Sequence, residues 1–542
     1  MPTLKIDGKP CAFEGKKSIL QVALDHGIEI PHYCYHPGMS VVASCRICLM
    51  EMATPDPKTG VLNHVPKLVP ACQTPASDGA EVYLKTPKVI GSQKAVMEQL
   101  LINHPLDCPV CDQAGECSLQ DYSYRYGNAD SRFEEAKNKK PKKDIGEHVL
   151  LYSDRCIMCS RCVRFTREVT GTHELGIFGR GSNEQVDVAP GQPLNNPLSG
   201  NVVDICPVGA LLDKDFLMTM RVWNLQKTPS IDGITASGDN LSVETNEGRV
   251  YRIKPRTNLD VNKWWTSDEI RYGWKFVHSE DRLREPSVLL NAADAIEPRG
   301  PVDWAEAYAG ALEGLRRGTE GGRLGLVVSP MLSCEEAHLL GRLALALDPQ
   351  AVLAVGPVPF SGQDKTFPGG YTICAEKAPN ARGVRRALEA LGRPVLAFDA
   401  FLAQAAGIKA LILTGNYPSP WATAQVAALV AGRFTVLLDT LPSAASAAAN
   451  IVLPTASWLE KAGCFENAKN RIQSFGAAIP ALEMTRAEGQ VALDLLALAG
   501  AARREIFNAD KVREAMGGVF VEEIKHPAPE DVRMSEVEYV TL

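Results

Sequence analysis

The chain has 542 residues, of which 45% are hydrophobic and 22% charged, and its formal net charge is −7. That length exceeds one core of ordinary size and predicts three or more domains, and the composition excludes a disordered chain. The negative balance disfavours nucleic acid as a general partner, because phosphate recognition needs clustered positive charge.

Twelve of the fifteen cysteines lie before residue 207. A chain this long is not a small disulfide scaffold. No basic-then-apolar leader opens the sequence. The longest uncharged stretches, Ala410–Gly432 and Thr440–Leu459, are broken by Pro, Asn, Ser or Gln, so neither reads as a span of ~20 apolar residues. The expectation is a soluble, cytoplasmic protein that meets a membrane only through partners.

In chain order, residues 1–30 read as a β-grasp start. Leu4–Ile6 and Cys11–Phe13 flank Asp7-Gly8, a two-residue hairpin signal. Ser18 can cap a helix through about His26, with Leu20, Ala23 and Leu24 inward and Gly27 just past its end. The first ligand group follows: Cys34, Cys45, Cys48 and Cys72. A Cys-x2-Cys step with one distant cysteine on each side is the plant-type 2Fe-2S ferredoxin layout, although the first gap is longer. Gly38, Ser40, Ala43 and Ser44 would let backbone N–H groups approach the sulfurs. A structural zinc site competes for four isolated cysteines; the β-grasp pattern favours the cluster.

Residues 86–103 carry a helical pattern with Val96, Met97, Leu100 and Leu101 on one face, read as core. It delivers the second group, His104, Cys108, Cys111 and Cys117. Three cysteines leave one coordination position open, and His104 stands where a fourth ligand would. On spacing alone, a zinc site of three cysteines and one histidine and a 4Fe-4S cluster with an imidazole ligand are equal. The neighbouring groups tip the reading to the cluster. Lys137, Lys139, Lys140, Lys142 and Lys143 then read as a solvated linker.

The third group is the most specific. Cys156, Cys159 and Cys162 repeat the Cys-x2-Cys-x2-Cys start of bacterial ferredoxins, position 166 is Thr, and a lone Cys206-Pro207 comes later. Three ligands from one run and one from another make a single 4Fe-4S cluster. Residues 221–277 turn β-like, with a hairpin at Asn246-Glu-Gly248, and no cysteine occurs between 206 and 334. From about 280 an α/β plan begins. Strands are predicted at Leu324–Val328, Val352–Val355, Ala410–Thr414 and Phe434–Leu438, with helices at Glu335–Leu347 and Trp421–Ala431, which implies a parallel sheet. No Gly-x-Gly-x-x-Gly follows a strand, so a nicotinamide site is unsupported. Cys11, Cys334, Cys374 and Cys464 are expected to be buried free thiols.

This order of ligand groups resembles the family of the large iron–sulfur subunit of NADH-quinone oxidoreductase, found in the peripheral arm of respiratory complex I. The resemblance rests on Ser44-Cys-Arg-Ile-Cys48, on His104 through Cys117, on Asp154-Arg-Cys-Ile-Met-Cys-Ser-Arg-Cys-Val-Arg-Phe165 and on Ser199 through Ala210, and covers about residues 1–275. Farther on, Ile451-Val-Leu-Pro454 and Asn467 through Arg471 resemble a degenerate, shortened molybdopterin-oxidoreductase domain.

The resemblance implies a multidomain fold of mixed α/β and α+β class. It would comprise a β-grasp 2Fe-2S ferredoxin-like domain at 1–85, a 4Fe-4S domain with one histidine and three cysteine ligands at 86–140, and a bacterial-ferredoxin-like 4Fe-4S domain at 145–220. A small β-rich domain at 221–278 and a truncated molybdopterin-oxidoreductase-like α/β domain at 279–542 would follow. One 2Fe-2S cluster on Cys34, Cys45, Cys48 and Cys72 is implied, with 4Fe-4S clusters on His104, Cys108, Cys111 and Cys117 and on Cys156, Cys159, Cys162 and Cys206. Some family members carry a further four-cysteine group after the third cluster. Thr228-Pro-Ser-Ile-Asp-Gly keeps that segment's shape without its cysteines, so no extra cluster is expected. The C-terminal α/β part looks shorter than a full molybdopterin domain, so no molybdopterin is expected and a structural role is implied there. The implied function is electron relay from NADH, through a flavin on a partner subunit, toward quinone. Electrons would pass from the 2Fe-2S cluster to the Cys156 group and then to the His104 group. This chain would hold no catalytic acid or base and would not itself bind NADH. Implied partners are the flavin/NADH-binding subunit with its 2Fe-2S companion and a two-cluster 4Fe-4S subunit, the whole attached peripherally on the cytoplasmic side of the inner membrane. Rival readings are the electron-input part of a formate dehydrogenase or hydrogenase complex, and a zinc-stabilised interaction protein.

Overall fold

The computed structural model describes residues 1–290 and 299–522; the expected domain 279–542 runs into the stretches outside them. The chain divides into two compact units. One comprises Met1–Leu225 with the short segment Phe367–Tyr371; the other begins at Gln226 and takes in the rest of the described chain.

The first unit opens with the predicted hairpin. Strands Thr3–Ile6 and Lys9–Ala12 pair antiparallel around Asp7 and Gly8, whose φ values of 46° and 84° suit a tight primed turn. Thr3–Ile6 also pairs parallel with Glu81–Tyr83, which pairs antiparallel with Leu49–Pro55. The helix Ile19–Asp25 packs into this sheet. Ser18 caps it in a capping box with Gln21, and Gly27 follows its end at φ 65°. Ile19, Leu20, Val22 and Ala23 are buried with Leu4, Ile6, Met50 and Val82, while Leu24 is only partly buried.

The helix Pro87–Leu101 starts at Thr86 as predicted for the 86–103 pattern, but its buried face is different. Val89, Gln93 and Met97 are buried, whereas Val96, Leu100 and Leu101 are half-exposed. A two-turn apolar cluster near a helix end misplaced the stripe; the i, i+4, i+8 row that meets the core runs through Gln93. The lysine run also departs from a solvated linker. Lys142–Asp144 forms a strand against Val149–Tyr152. The Lys137 ammonium donates to the carbonyls of Leu101 and Ile102 at 2.8 Å each, satisfying the open end of the preceding helix. Val149–Tyr152 pairs in turn with Leu211–Asp213, and Leu175–Phe178 with Gln185–Val188.

The second unit begins with the antiparallel strands Gln226–Ile231, Asn240–Asn246 and Arg249–Pro255, with the expected turn at Glu247 and Gly248. Their buried face shares a core with Trp458, Phe465 and Phe475. A Cβ on Gly233 would run into the Trp458 ring, so the close approach needs glycine there. Among the described residues that follow, the main sheet has eight strands. Its six parallel strands lie in the spatial order Val395–Leu396, Val352–Val355, Arg323–Val328, Ile408–Thr414, Phe434–Asp439 and Ile451–Pro454. Numbered along the chain this is 3-2-1-4-5-6, the doubly wound arrangement. The four predicted strands are all present. The helix predicted from Glu335 begins at Cys334 behind a Ser333 cap, and the one predicted from Trp421 begins at Ala424 behind Thr423. No described helix is long and apolar enough to cross a membrane. Cys11, Cys334, Cys374 and Cys464 are buried and unbridged.

Candidate metal centres

All twelve predicted ligands fall within the first unit. The first group lies on the loop between Tyr33 and Leu49 and on the short segment after the strand Val69–Pro70. Cys34, Cys48 and Cys72 are buried and Cys45 half-buried. The Cys48 and Cys72 sulfurs are 3.5 Å apart, and the Cys34 thiol bonds to those of Cys45 and Cys72. Ala43 and Arg46, at φ 50° and 60°, turn the loop so that the cysteines face one another. Hydrogen bonds from Cys45 and then Cys72 hold Cys34 far below the usual thiol range, and the same bonds drive Cys45 and Cys72 upward. The four sulfurs behave as one shared donor set.

The third group encloses a cavity lined by Cys156, Cys159, Cys162 and Cys206, by the polar Ser160 and Arg161, and by apolar side chains such as Leu151, Val186 and Leu211. Met158 and Ser160 adopt left-handed φ values of 55° and 59°, which curl the loop around the cavity. The Met158 N–H donates to the Cys156 sulfur at 3.4 Å. Cys206 follows the helix Asn201–Ile205, and Pro207 stops helical continuation. Burial pushes the Cys156 thiol up to about 12 and the Cys206 thiol up to about 11. Deprotonated, the four sulfurs would need positive charge to offset theirs; Arg161 on the cavity wall supplies one such charge and a bound metal centre would supply the rest.

The second group is more open. Cys111 is buried, Cys117 and His104 are half-buried, and Cys108 is exposed. Burial pushes the Cys117 thiol up, and the neighbouring Cys111 and Cys108 sulfurs add to the rise. A Cβ on Gly209 would collide with the Cys111 sulfur, so this glycine makes room for the ligand. Burial and the Arg155 charge hold the His104 imidazole down at about 4, leaving it neutral, the form that ligates metals. Among the described residues no three Cys, His, Asp or Glu side chains converge as they would on one metal ion. A multi-iron cluster sets its ligands farther apart, because each protein sulfur or nitrogen meets its own iron or shares one with a single neighbour.

The motif reading missed three arginines. Arg161 and Arg164, in and just after the Cys-x2-Cys-x2-Cys run, are 5% and 3% exposed. Arg161 donates to the carbonyls of Tyr35 at 2.5 Å and Ile205 at 3.2 Å, and its Nε has no partner. Arg164 donates to the carbonyls of Ser40 and Cys34 and to Ser160 Oγ. Arg155, before Cys156, stacks over Tyr152 with 4.0 Å to the ring centre and donates to Asp107, which precedes Cys108, at 2.9 and 3.2 Å. The signal was available as arginines interleaved with the ligands. A buried guanidinium without a carboxylate costs several kcal/mol unless another anion neutralises it. Arg161 is in that position, and an anionic thiolate cage is the counter-charge that fits. The nearby His32 and His36 are pushed down by burial to about 4 and about 3 and carry no charge.

Successive stretches match family models in the same order. These are a 2Fe-2S iron-sulfur cluster binding domain (residues 1–87), an NADH-ubiquinone oxidoreductase-G iron-sulfur binding region (93–132) and an NADH-quinone oxidoreductase subunit 3 ferredoxin-like domain (146–212). An NADH-ubiquinone oxidoreductase NDSU1/NuoG-like 4Fe-4S domain (225–275) and a molybdopterin oxidoreductase model (380–497) follow. The NADH-ubiquinone oxidoreductase 75 kDa subunit of Reclinomonas americana is 38% identical over 343 residues, 63% of this chain and 47% of that one. The mitochondrial NADH dehydrogenase (ubiquinone) iron-sulfur protein 1 of Solanum tuberosum is 40% identical over 304 residues, 56% of this chain and 39% of that one. The matches thus span less than half the length of these relatives. A chain in a crystal structure of an NAD+-reducing nickel–iron hydrogenase in its H2-reduced state is 28% identical, covering 41% of this chain and 91% of that one, with a TM-score of 0.36.

Proposed function

Because the chain belongs to the large iron–sulfur subunit family of NADH-quinone oxidoreductase, we propose that it is an electron-relay subunit of a complex I-type enzyme. Cys34, Cys45, Cys48 and Cys72 hold a 2Fe-2S cluster. The sulfur contacts support this, since Cys48 lies 3.5 Å from Cys72 and Cys34 interacts with both Cys45 and Cys72, so the four form one connected set. His104, Cys108, Cys111 and Cys117 hold one 4Fe-4S cluster, and Cys156, Cys159, Cys162 and Cys206 hold another. When bound, such clusters accept and release single electrons at potentials set by their surroundings.

The chain's own residues do the rest. The apolar walls of the Cys156 cavity exclude water, and main-chain N–H groups such as that of Met158 donate to ligand sulfur. Residues 225–275 lack any cysteine, so that segment holds no thiolate cage, and the α/β region serves as a scaffold without molybdopterin. The partners are a flavoprotein that oxidises NADH, with its own 2Fe-2S companion, and a two-cluster 4Fe-4S protein on the way to quinone. Attachment to the membrane is peripheral, through those partners.

The observation that carries this reading is the buried Arg161, uncompensated by any described carboxylate and set between two thiol groups. The test is anaerobic purification followed by iron, zinc and acid-labile sulfide analysis and EPR of the reduced chain. One 2Fe-2S and two 4Fe-4S signals are expected. Cys72→Ser should remove the first, Cys117→Ser the second and Cys162→Ser the third, each alone. A colourless protein containing zinc and no sulfide would establish the interaction-protein reading instead.

A further inference from the structure

Arg161 sits between Cys159 and Cys162 in sequence, at the first position of the helix Arg161–Arg164. Its two terminal nitrogens hold two carbonyls that come from separate ligand loops. One belongs to Tyr35, the residue after Cys34; the other to Ile205, the residue before Cys206. A single planar guanidinium therefore ties a ligand loop of the Cys34 cage to a ligand loop of the Cys156 cage. A lysine could not reproduce this, because its ammonium is a point donor without the rigid fork. The cation is buried, has an Nε without a partner, and makes no ion pair among the described residues. The charged and titratable groups around it are Arg164 on the same helix, His32 and His36 from the loop around Cys34, the Tyr122 hydroxyl and the Cys159 thiol.

On the reading that both cages hold clusters, we propose that Arg161 is a positioning residue of the relay. It fixes the Cys34 and Cys156 cages to one another and supplies a positive charge that both centres share. Adding an electron to either centre adds one negative charge and breaks no bond. A cation held between them in a low-dielectric interior favours the reduced state of both at once. Arg155 does the corresponding work for a different pair. It adjoins Cys156 and binds Asp107 beside Cys108, and its charge is partly cancelled by that carboxylate.

The test is a redox titration followed by EPR on the full chain with its clusters in place, for R161Q, R161K and R155Q. In R161Q, iron, sulfide and all three signals persist. At a fixed solution potential the reduced-to-oxidised ratio falls about tenfold, equivalent to about 59 mV for one electron, at the Cys34 and Cys156 centres and not at the His104 centre. R161K restores most of that ratio but leaves the magnetic interaction between the two reduced centres altered, because one ammonium cannot hold both carbonyls in the same fork. R155Q shifts the Cys156 and His104 centres and leaves the Cys34 centre in place. An unchanged ratio in R161Q, a uniform shift at all three centres, a shift of the Cys34 centre in R155Q, or loss of clusters in R161Q and R161K alike would each overturn the proposal. Failure of the underlying reading looks different: the unsubstituted chain would then show neither sulfide nor signals.

Discussion

Single atoms decide whether the second cage forms. Gly209 has no side chain, and the Cys111 sulfur occupies the space one would need; an added Cβ would also lie 3.2 Å from the Gln113 Cβ. Overpacking of this kind costs about 1–3 kcal/mol where the neighbours cannot yield. Here the neighbour that moves most readily is the ligand itself. Gly209→Ala is therefore expected to abolish the EPR signal assigned to the His104 cage and to lower bound iron, while the Cys34 and Cys156 signals remain. Survival of all three signals at full iron content would show that Cys111 has room to spare. The twelve candidate ligands could be proposed from sequence because metal-binding chemistry writes itself into spacing. Gly209 and Arg161 were not, since their roles depend on residues far away in sequence: Cys111 for one, Tyr35 for the other.

Helices in the second unit are joined through buried charge. The helix Cys334–Leu347 begins with a capping box between Ser333 and Glu336, and the helix Glu488–Leu498 carries Glu488 in its first turn. The Lys461 ammonium lies 3.0 Å from Glu336 and 2.5 Å from Glu488, all three being almost fully buried. Glu488 also accepts from Asn416 at 2.9 Å. Removing the cation leaves two carboxylates facing each other without water, and breaking a buried pair typically costs about 3–5 kcal/mol. Lys461→Met should destabilise the second unit by an amount in that range in a denaturant titration, with Glu488→Gln on the same background recovering part of it; a loss under about 1 kcal/mol would contradict the cluster's role. Local pattern located these elements well. The Cys334 helix begins within one residue of its predicted start, because its signals lie within one turn. Pattern failed for the face of Pro87–Leu101, where Gln93 is buried and Leu100 is not, because the choice of face depends on what packs against it.

Across the whole molecule the two units separate two kinds of chemistry: thiol cages in the first, and a doubly wound sheet with buried carboxyls in the second. In that second unit burial raises Asp232 and Asp439 to about 6, against an ordinary value of 3.8. Asp439 accepts from the N–H groups of Asn416 and Thr440 at 2.8 Å and from Trp421 Nε1 at 3.0 Å. An acid whose proton affinity is higher folded than unfolded stabilises the fold fully below about pH 4, and that contribution is lost as pH rises through about 6. Each such group can account for on the order of 3 kcal/mol. The unfolding temperature of the second unit should therefore decline between about pH 4 and pH 7, and Asp439→Asn should flatten that slope; calorimetry across this interval decides it, and a rising slope would refute it. The strands of this unit could be read from their apolar runs. Their spatial order could not, because Arg323–Val328 pairs with Ile408–Thr414 across most of a domain's length of chain.

The Cys156 cavity takes its fourth thiol from Cys206, while the other three come from a single short loop. Everything from Val163 to Ile205, including the hairpin Leu175–Phe178 with Gln185–Val188, lies between the last two ligands. On the reading that this cavity holds a cluster, maturation has a direction: a growing polypeptide released only as far as Val163 presents three of the four thiols, and the set is complete only once Cys206 has emerged.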